Sequence, residues 1–127
     1  MLYFLLVRNK VANGVHMVEN STGQENSNWA IGLAQAVSAY SFGVPMDALT
    51  ASETGDGQAV RARQVAMYLS QMVLKLGPRE VARAFHRTHP AVLHACRRVE
   101  EAREDPSFDR TVEWMETVLR RAADVAP

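Results

Sequence analysis

Apolar residues recur every three or four positions along the chain from Trp29 onward, and no stretch alternates with the two-residue period of a half-buried strand. This pattern predicts an all-α fold. A chain of 127 residues can form one hydrophobic core without disulfides. The single cysteine, Cys96, excludes an internal disulfide and lies on an apolar helical stripe, so we expect it to be buried in a protein of a reducing compartment.

Glycine and proline divide this region into successive helices. We expect a first helix capped by Asn28 and ended by "FGVP", a short turn at "PMDALT", a loop at "ASETGDGQ", and a central helix from about Val60 to the Gly77-Pro78 break. The residues that these two helices are expected to bury are Trp29, Leu33, Val37 and Tyr40, then Val65, Tyr68, Leu69, Met72 and Leu76.

Three more helices are predicted after this break. Pro78 opens a short one, because its missing N–H would be unpaired in a first turn. A longer helix is capped by Thr88 or His89, with Pro90 in its first turn, and a last helix begins at Asp105-Pro106. The predicted inward residues of the three are Val81 and Phe85, then Val92, Cys96 and Val99, then Phe108, Val112, Met115 and Leu119.

Several other residues are expected to be structural. The methionines Met46, Met67, Met72 and Met115 are interpreted as core filler. Trp29 and Trp114 are expected to anchor the first and last helices, with a partner-facing surface as the alternative for either. His94 is expected to be partly buried, and the acidic run "EEARED" is interpreted as a solvated helix end, with an acidic patch mimicking DNA as the alternative.

The two ends of the chain are predicted to be tails around one domain spanning residues 29–122. Residues 1–28 are rich in Asn, Gly and Ser without a sustained period, which predicts a disordered N-terminal tail, and residues 123–127 form a short second tail. The opening "MLYFLLV" is too short to span a bilayer and lacks the features of a signal peptide. We therefore expect a cytoplasmic protein, whose start is either Met1 or Met17.

Charge is distributed unevenly along the chain. Fourteen basic and fourteen acidic residues give no net charge, but the middle of the chain contains eight basic residues and only one acidic residue, Glu80. The basic residues are Arg61, Arg63, Lys75, Arg79, Arg83, Arg87, Arg97 and Arg98. A basic middle is typical of a protein that contacts phosphates, and it is also found on ordinary solvated helix faces.

The short helix, its turn and the longer helix that follows have the pattern of a helix-turn-helix. In that arrangement the second helix enters the major groove and its first residues face the base edges, which here are Thr88, His89, Pro90 and Ala91, followed by His94. Arg79, Arg83 and Arg87 would meet phosphates. Short-long helix pairs are common in all-α proteins, so this pattern leaves DNA binding and a purely structural role both open.

Two long runs carry a resemblance to a known family. "AVRARQVAMYLSQMVLKLG" and "REVARAFHRTHPAVLHACRRVEEAREDP" resemble the C-terminal DNA-binding domain of the bacterial replication initiator DnaA, and the resemblance extends upstream through "AVSAYSFGVPMDAL". It covers roughly Trp29 to Arg121. The resemblance implies a helical, Trp-repressor-like bundle with a helix-turn-helix. The chain contains no GxxxxGK[ST] nucleotide-binding loop, so neither a nucleotide nor another cofactor is expected.

The resemblance also implies roles for individual residues. An arginine at the position of Arg61 reaches into the minor groove in that family, while Arg87 and His89 match residues that contact bases in the major groove. We place Lys75 at a phosphate together with Arg79 and Arg83.

The chain departs from the family at the start of the recognition helix. Thr88 replaces an acidic residue, Pro90 and Ala91 replace two threonines, and His86 stands where two glycines are expected. The acidic "SETGDG" replaces a basic loop. These departures imply a changed DNA preference, since each good base contact contributes about 1–3 kcal/mol of discrimination.

The sequence thus predicts a DNA-binding protein that recognises duplex DNA through a helix-turn-helix and regulates replication initiation or transcription at the nucleoid, with replication or transcription proteins as further candidate partners. The alternative is a helix-turn-helix fold reused as a protein-interaction module. No enzyme is predicted, because no nucleophile stands in a recognisable motif beside a base. No metal site is predicted either, because His86, His89 and His94 fall across a turn and a helix without matching ligands.

Overall fold

The computed structural model describes residues 21–52 and 55–125, and within these ranges every regular element is helical. This confirms the predicted all-α fold. The elements are α1 (Ser21–Phe42), a 3₁₀ helix (Met46–Leu49), α2 (Gly57–Met72), α3 (Pro78–Phe85), α4 (His89–Ala102) and α5 (Pro106–Asp124). None of the described helices is both long enough and apolar enough to cross a membrane.

Helix α2 lies at the centre of the bundle, and α1 and α4 pack on roughly opposite sides of it. Ser38 of α1 donates a hydrogen bond to the Ala62 carbonyl of α2 at 2.6 Å. Cys96 of α4 donates to the Gln71 side chain of α2 at 3.2 Å. Positions 62 and 71 are about half a turn apart around a helix with ~3.6 residues per turn. The outer faces of α1 and α4 therefore point away from each other.

The predicted helix starts are largely confirmed, and side-chain caps explain them. The hydroxyl of Thr88 accepts a hydrogen bond from the Ala91 amide, and the carboxylate of Asp105 accepts one from the Ser107 amide. Pro78 lies in the first turn of α3, as expected. Asp56 caps α2, so this helix begins at Gly57, earlier than the predicted start near Val60.

Most of the predicted core is buried. Each of the four helices after α1 buries the stripe expected of it, with Leu76 and Phe108 only partly buried. The confirmed core residues are Val65, Tyr68, Leu69, Met72, Val81, Phe85, Val92, Cys96, Val99, Val112, Met115 and Leu119. Burial raises the pKa of the Cys96 thiol to about 12, with Glu100 as the second cause.

The first helix differs from its prediction in start and in orientation. It begins at Ser21, so Asn28 is not its cap and residues 21–28 are helical rather than part of a tail; residues 1–20 lie outside the described residues. The prediction that Trp29 and Tyr40 point into the core was also wrong, since they are 46% and 82% exposed. The buried face instead contains Ile31, Ala34, Ser38 and Ala39. Three of these four side chains are small, which lets α1 lie close to α2.

Helix α2 ends earlier than the predicted break at Gly77. Its last residue is Met72, and Lys75 adopts a left-handed conformation with φ 62°. The amide of Leu76 then returns to the Ser70 carbonyl at 3.2 Å. A left-handed residue with a returning amide is a usual way for a helix to end, and the sequence offers no glycine at this position to signal it.

Three smaller predictions were also wrong. Met46 and Trp114, expected in the core, are 46% and 52% exposed. His94, expected to be partly buried, is exposed on α4. For Trp114 and His94 the cause is the rotation of their α-helices, since the adjacent residues Met115 and Ala95 take the buried side.

The acidic run "EEARED" contains a polar network instead of a fully solvated end. The Arg103 guanidinium donates to Asp109 and, through both terminal nitrogens, to Glu116 of α5 at 3.1 and 3.2 Å. It also donates to the hydroxyl of Tyr68 on α2 at 3.2 Å, and Tyr68 donates to Glu100 at 2.6 Å. The network therefore links α2, the end of α4 and α5.

Burial and hydrogen bonding act in opposite directions on this arginine. Burial alone would lower the pKa of Arg103, but the hydrogen bonds to Glu116 and Asp109 outweigh it and raise this pKa above its ordinary value. Burial, followed by the hydrogen bond to Glu100, likewise raises the pKa of Tyr68. Both groups therefore keep the protonation states that the network requires.

We predict that Arg103→Met destabilises the protein by about 3–5 kcal/mol, because it leaves the Glu116 carboxylate buried without its partner. The double variant Arg103→Met with Glu116→Leu should recover most of this loss, since an apolar pair replaces an ion pair at little cost. Urea unfolding of the two variants measures both effects. Equal stability of the single and double variants would contradict the assigned role.

Candidate nucleic-acid interface

The helix-turn-helix is formed by α3 and α4, and its turn is tight. Helix α3 ends at Phe85, and His86 then adopts a left-handed conformation with φ 54° and ψ 45°. The His86 amide bonds to the carbonyls of Ala82 and Arg83. Only His86 and Arg87 separate α3 from Thr88, the cap of α4. A left-handed conformation is unfavourable for a residue with a Cβ, and His86 adopts it at the position where the resemblance leads us to expect two glycines.

The first residues of α4 lie together at one solvent-facing end of the helix. Thr88 and Pro90 are exposed, and His89 and Ala91 are partly buried. The Thr88 oxygen accepts the Ala91 amide, so its hydroxyl proton remains available to donate outward. The sequence pattern assigns these four residues to the base edges, and the structure brings them together.

The exposed face of α4 continues beyond this end. His94 and Arg97 follow Pro90 at intervals of one turn, and Arg98 is exposed beside them. The sequence-based prediction includes His94 in the interface but gives Arg97 and Arg98 no role. The available signal was their spacing from His94, because residues three or four apart on a helix share a face.

The predicted phosphate contacts Lys75, Arg79 and Arg83 are exposed. Arg79 and Arg83 stand one turn apart on α3, and Lys75 precedes this helix in the left-handed position. Arg83 also borders a groove of about 380 Å³ between α3 and α1, lined further by Asn28, Ile31, Glu80 and Ala84. Arg83 lies in the last turn of α3, next to the turn of the motif, whereas Arg79 lies in its first turn and Lys75 precedes the helix.

Arg87, predicted to contact DNA, is bound to the protein's own backbone. Its guanidinium donates to the carbonyls of Phe85 and His86 at 3.2 Å each, and to the Ala51 carbonyl at 2.9 Å. These bonds tie the turn to the segment that follows the 3₁₀ helix. A guanidinium has five N–H donors, so a DNA contact by Arg87 would add to this bracing role.

Arg63 contributes to the basic count of the sequence but not to the surface. It is 5% exposed and donates to the carbonyls of Leu49 and Ala48 at 3.0 Å each. Burial, and then the nearby charge of Arg87, lower its pKa. Arg63 therefore fixes the 3₁₀ helix against α2, and the solvent-facing charge of this region is smaller than the sequence suggests.

Arg61, predicted to reach the minor groove, stacks on α5. Its guanidinium carbon lies 5.0 Å from the centre of the Phe108 ring, and its Nη1 atom is buried without a hydrogen bond. Position 61 is about 200° around α2 from Arg63, at ~100° per residue, and the structure does not bring it to Arg87. A minor-groove contact would require Arg61 to leave Phe108, and this role stays a prediction.

One acidic residue of the "SETGDG" loop, Asp56, has a structural role. Asp56 accepts the Ala59 amide at 2.9 Å and caps α2, so its carboxylate stabilises a helix N-terminus. Glu53 lies outside the described residues. Among the residues that the structure describes, no three His, Cys, Asp or Glu side chains come close enough to hold a metal ion.

Two comparisons with known proteins find matches. The helix-turn-helix of the bacterial DnaA protein matches residues 33–99, which is more than half of the chain. The crystal structure of a DNA replication initiation factor superposes on 80% of this chain with a TM-score of 0.72 and 25% sequence identity. This chain spans 32% of the length of that protein. No curated protein sequence matches.

We predict that His86→Gly stabilises the protein by about 0.5–1 kcal/mol, because relief of the left-handed strain exceeds the extra chain entropy of glycine. Thermal unfolding measures the change. His94→Gly is the matched control: His94 is an exposed histidine inside α4, and there glycine should destabilise by up to about 1 kcal/mol. A loss of stability in both variants would show that His86 makes contacts that outweigh its strain.

Proposed function

Because the chain belongs to the bacterial DnaA helix-turn-helix family, we propose that it binds duplex DNA with the start of α4 in the major groove. The observation that carries the proposal is that Thr88 and Pro90 both face solvent at the N-terminal end of α4, beside the turn. Exposed cations on α3 flank this end. Phosphate contacts from α3 would set the position on the duplex, and α4 would read the base edges.

The expected sequence preference differs from that of the family. Pro90 has neither a hydroxyl nor an amide proton, and Ala91 offers only a methyl group, which suits the methyl of a thymine. Thr88 can donate one hydrogen bond outward, where an acidic residue could only accept. Recognition by this chain therefore depends more on apolar contact and on DNA shape than on paired hydrogen bonds.

The proposed biological role is regulation of replication initiation or of transcription at the nucleoid, through occupancy of duplex sites. Family membership supports this role, and the protein whose structure superposes on this chain is a DNA replication initiation factor. Replication or transcription proteins are proposed as further partners.

A second candidate function is a protein-interaction module that keeps the helix-turn-helix fold. Two of the predicted DNA-contacting arginines favour it, since Arg87 binds backbone carbonyls and Arg61 stacks on Phe108. The two functions differ in their response to salt, because a DNA complex held by phosphate contacts weakens steeply as salt rises.

We predict salt-dependent binding to short duplexes, measured by fluorescence anisotropy. Each neutralised phosphate contributes about −0.9 to the slope of log affinity against log salt. If Lys75, Arg79 and Arg83 each neutralise one phosphate, this slope is about −2.7 or steeper. Arg83→Ala should reduce the steepness by about 0.9. Arg120→Ala removes an exposed arginine on α5 and should leave the slope unchanged. Absence of binding to any duplex at low salt would contradict the proposal that the chain binds DNA.

Arg61 is tested by a separate pair of variants. Arg61→Ala should weaken duplex binding if this side chain enters the minor groove. Phe108→Leu removes the ring on which Arg61 stacks but keeps the arginine, so binding should be retained or strengthened. The same anisotropy assay reads both, with thermal unfolding as a check on folding. Unchanged affinity in Arg61→Ala would remove Arg61 from the interface.

A further inference from the structure

The outward face of α1 is uncharged over an unusual length. No charged residue occurs from Asn26 to Met46, although charged residues are frequent elsewhere in the chain. Trp29 and Tyr40 are 46% and 82% exposed on this face. Depletion of charge together with exposed aromatic rings is characteristic of the centre of a protein–protein interface.

Two exposed aromatic rings and two partly buried smaller side chains form one continuous stripe. Trp29, Leu33, Ala36 and Tyr40 follow one another at intervals of three or four residues, so they lie along the same side of α1. Gly32 lies next to this stripe, and a Cβ built there would meet no atom within 4 Å, so it borders open space. The two aromatic rings lie opposite the face that packs on α2, whereas Leu33 is partly buried and also packs against the core.

We propose that a second copy of this chain covers the stripe, with the two α1 helices antiparallel about a twofold axis. One register makes the face complementary to itself. It places Trp29 against Tyr40 of the second copy and Leu33 against Ala36 of the second copy. Large residues meet small ones in the middle of the helix, and aromatic rings meet at both ends.

Symmetry is the reason to assign a second copy rather than an unrelated protein. A twofold interface uses the same patch on both subunits, so any charge near the axis would face its own like charge. The uncharged stretch on α1 avoids this repulsion. The other exposed tryptophan, Trp114 on α5, contrasts with it, because its groove is lined by Arg110, Glu113 and Arg120.

The area available is consistent with a dimer. A fully buried aromatic side chain removes about 150–250 Å² from water. With the exposed fractions of Trp29 and Tyr40, the four rings of a pair supply roughly half of the ~1,000 Å² that a specific interface requires. Leu33, Ala36 and Val37, which are only partly buried, contribute further area.

The proposed dimer has a consequence for DNA that rests on the proposed function. Because α1 and α4 lie on roughly opposite sides of α2, pairing through α1 leaves the two α4 helices facing outward in different directions. Such a dimer would hold two separate duplex segments, instead of reading adjacent half-sites on one side of a single duplex.

Light scattering of the full chain over a concentration series, without DNA, tests the association. The wild type should dimerise. Trp29→Lys and Tyr40→Lys should each weaken association at least about tenfold, because each places a lysine against an aromatic ring of the other copy in a desolvated interface. Trp114→Lys is the matched control, a lysine for an exposed tryptophan outside the stripe, and should still dimerise. Circular dichroism confirms that every variant is folded.

A charge-pair variant tests the register itself. Trp29→Lys combined with Tyr40→Glu in one chain places lysine opposite glutamate twice across the axis, so association should recover relative to either lysine variant. Trp29→Glu combined with Tyr40→Glu should remain monomeric. A monomeric wild type, or a dimer indifferent to Tyr40→Lys, would overturn the proposal, and in the first case the stripe would belong to a different partner protein.

The DNA consequence is tested separately, with two differently labelled duplexes and energy transfer between them. The wild type should bring the duplexes together, and Tyr40→Lys should bind one duplex with unchanged affinity but lose the transfer. Dimers that bind no duplex would contradict the proposed function and leave the association intact. Dimers that bind DNA without transfer would overturn the opposed arrangement of the α4 helices.

Discussion

The fold depends on the burial of α2 on all sides. Every residue from Val65 to Met72 is buried, so this helix requires a packing partner in each direction. Its polar groups are satisfied within the bundle: Ser70 bonds to the Ala66 carbonyl and Gln71 accepts from Cys96. Helices α1, α3 and α4 and the 3₁₀ helix are arranged around it. The position of α4, and the separation of its outer face from that of α1, both follow from this arrangement.

The arginines from position 61 to position 103 form three groups by what their guanidinium groups contact, and Arg61, which stacks on Phe108, is the first. Arg63, Arg87 and Arg103 donate to carbonyls or carboxylates of the protein itself. Those on α3 and the outer side of α4 face solvent. A basic count along the sequence treats all of them alike, and the difference appears only when each helix has been rotated into place. The basic surface that the helix-turn-helix offers to a polyanion is therefore formed by the exposed cations of α3 and α4 and is smaller than the basic count suggests.

Local sequence signals predicted α3, α4 and α5 well, because caps and prolines act within a few residues, as at Thr88 and Asp105. The orientation of α1 could not be predicted in this way. Its largest residues, Trp29 and Tyr40, were expected inside, whereas close packing against α2 selects the small Ala34 and Ala39. The roles of Arg87 and Arg103 also escaped prediction, since each has a partner distant in sequence, Ala51 for Arg87 and Tyr68 for Arg103. The roles of the site residues on DNA remain predictions.

The most direct test of the central claim, that the start of α4 reads duplex DNA, is a titration of the ¹⁵N-labelled chain with a short duplex, followed by NMR. We expect the largest amide shifts on Thr88–Ala91 and on the exposed residues of α3, while the amides of α1 and the end of α5 remain unchanged. Shifts confined to α1 or α5, or no shifts at low salt, would contradict it.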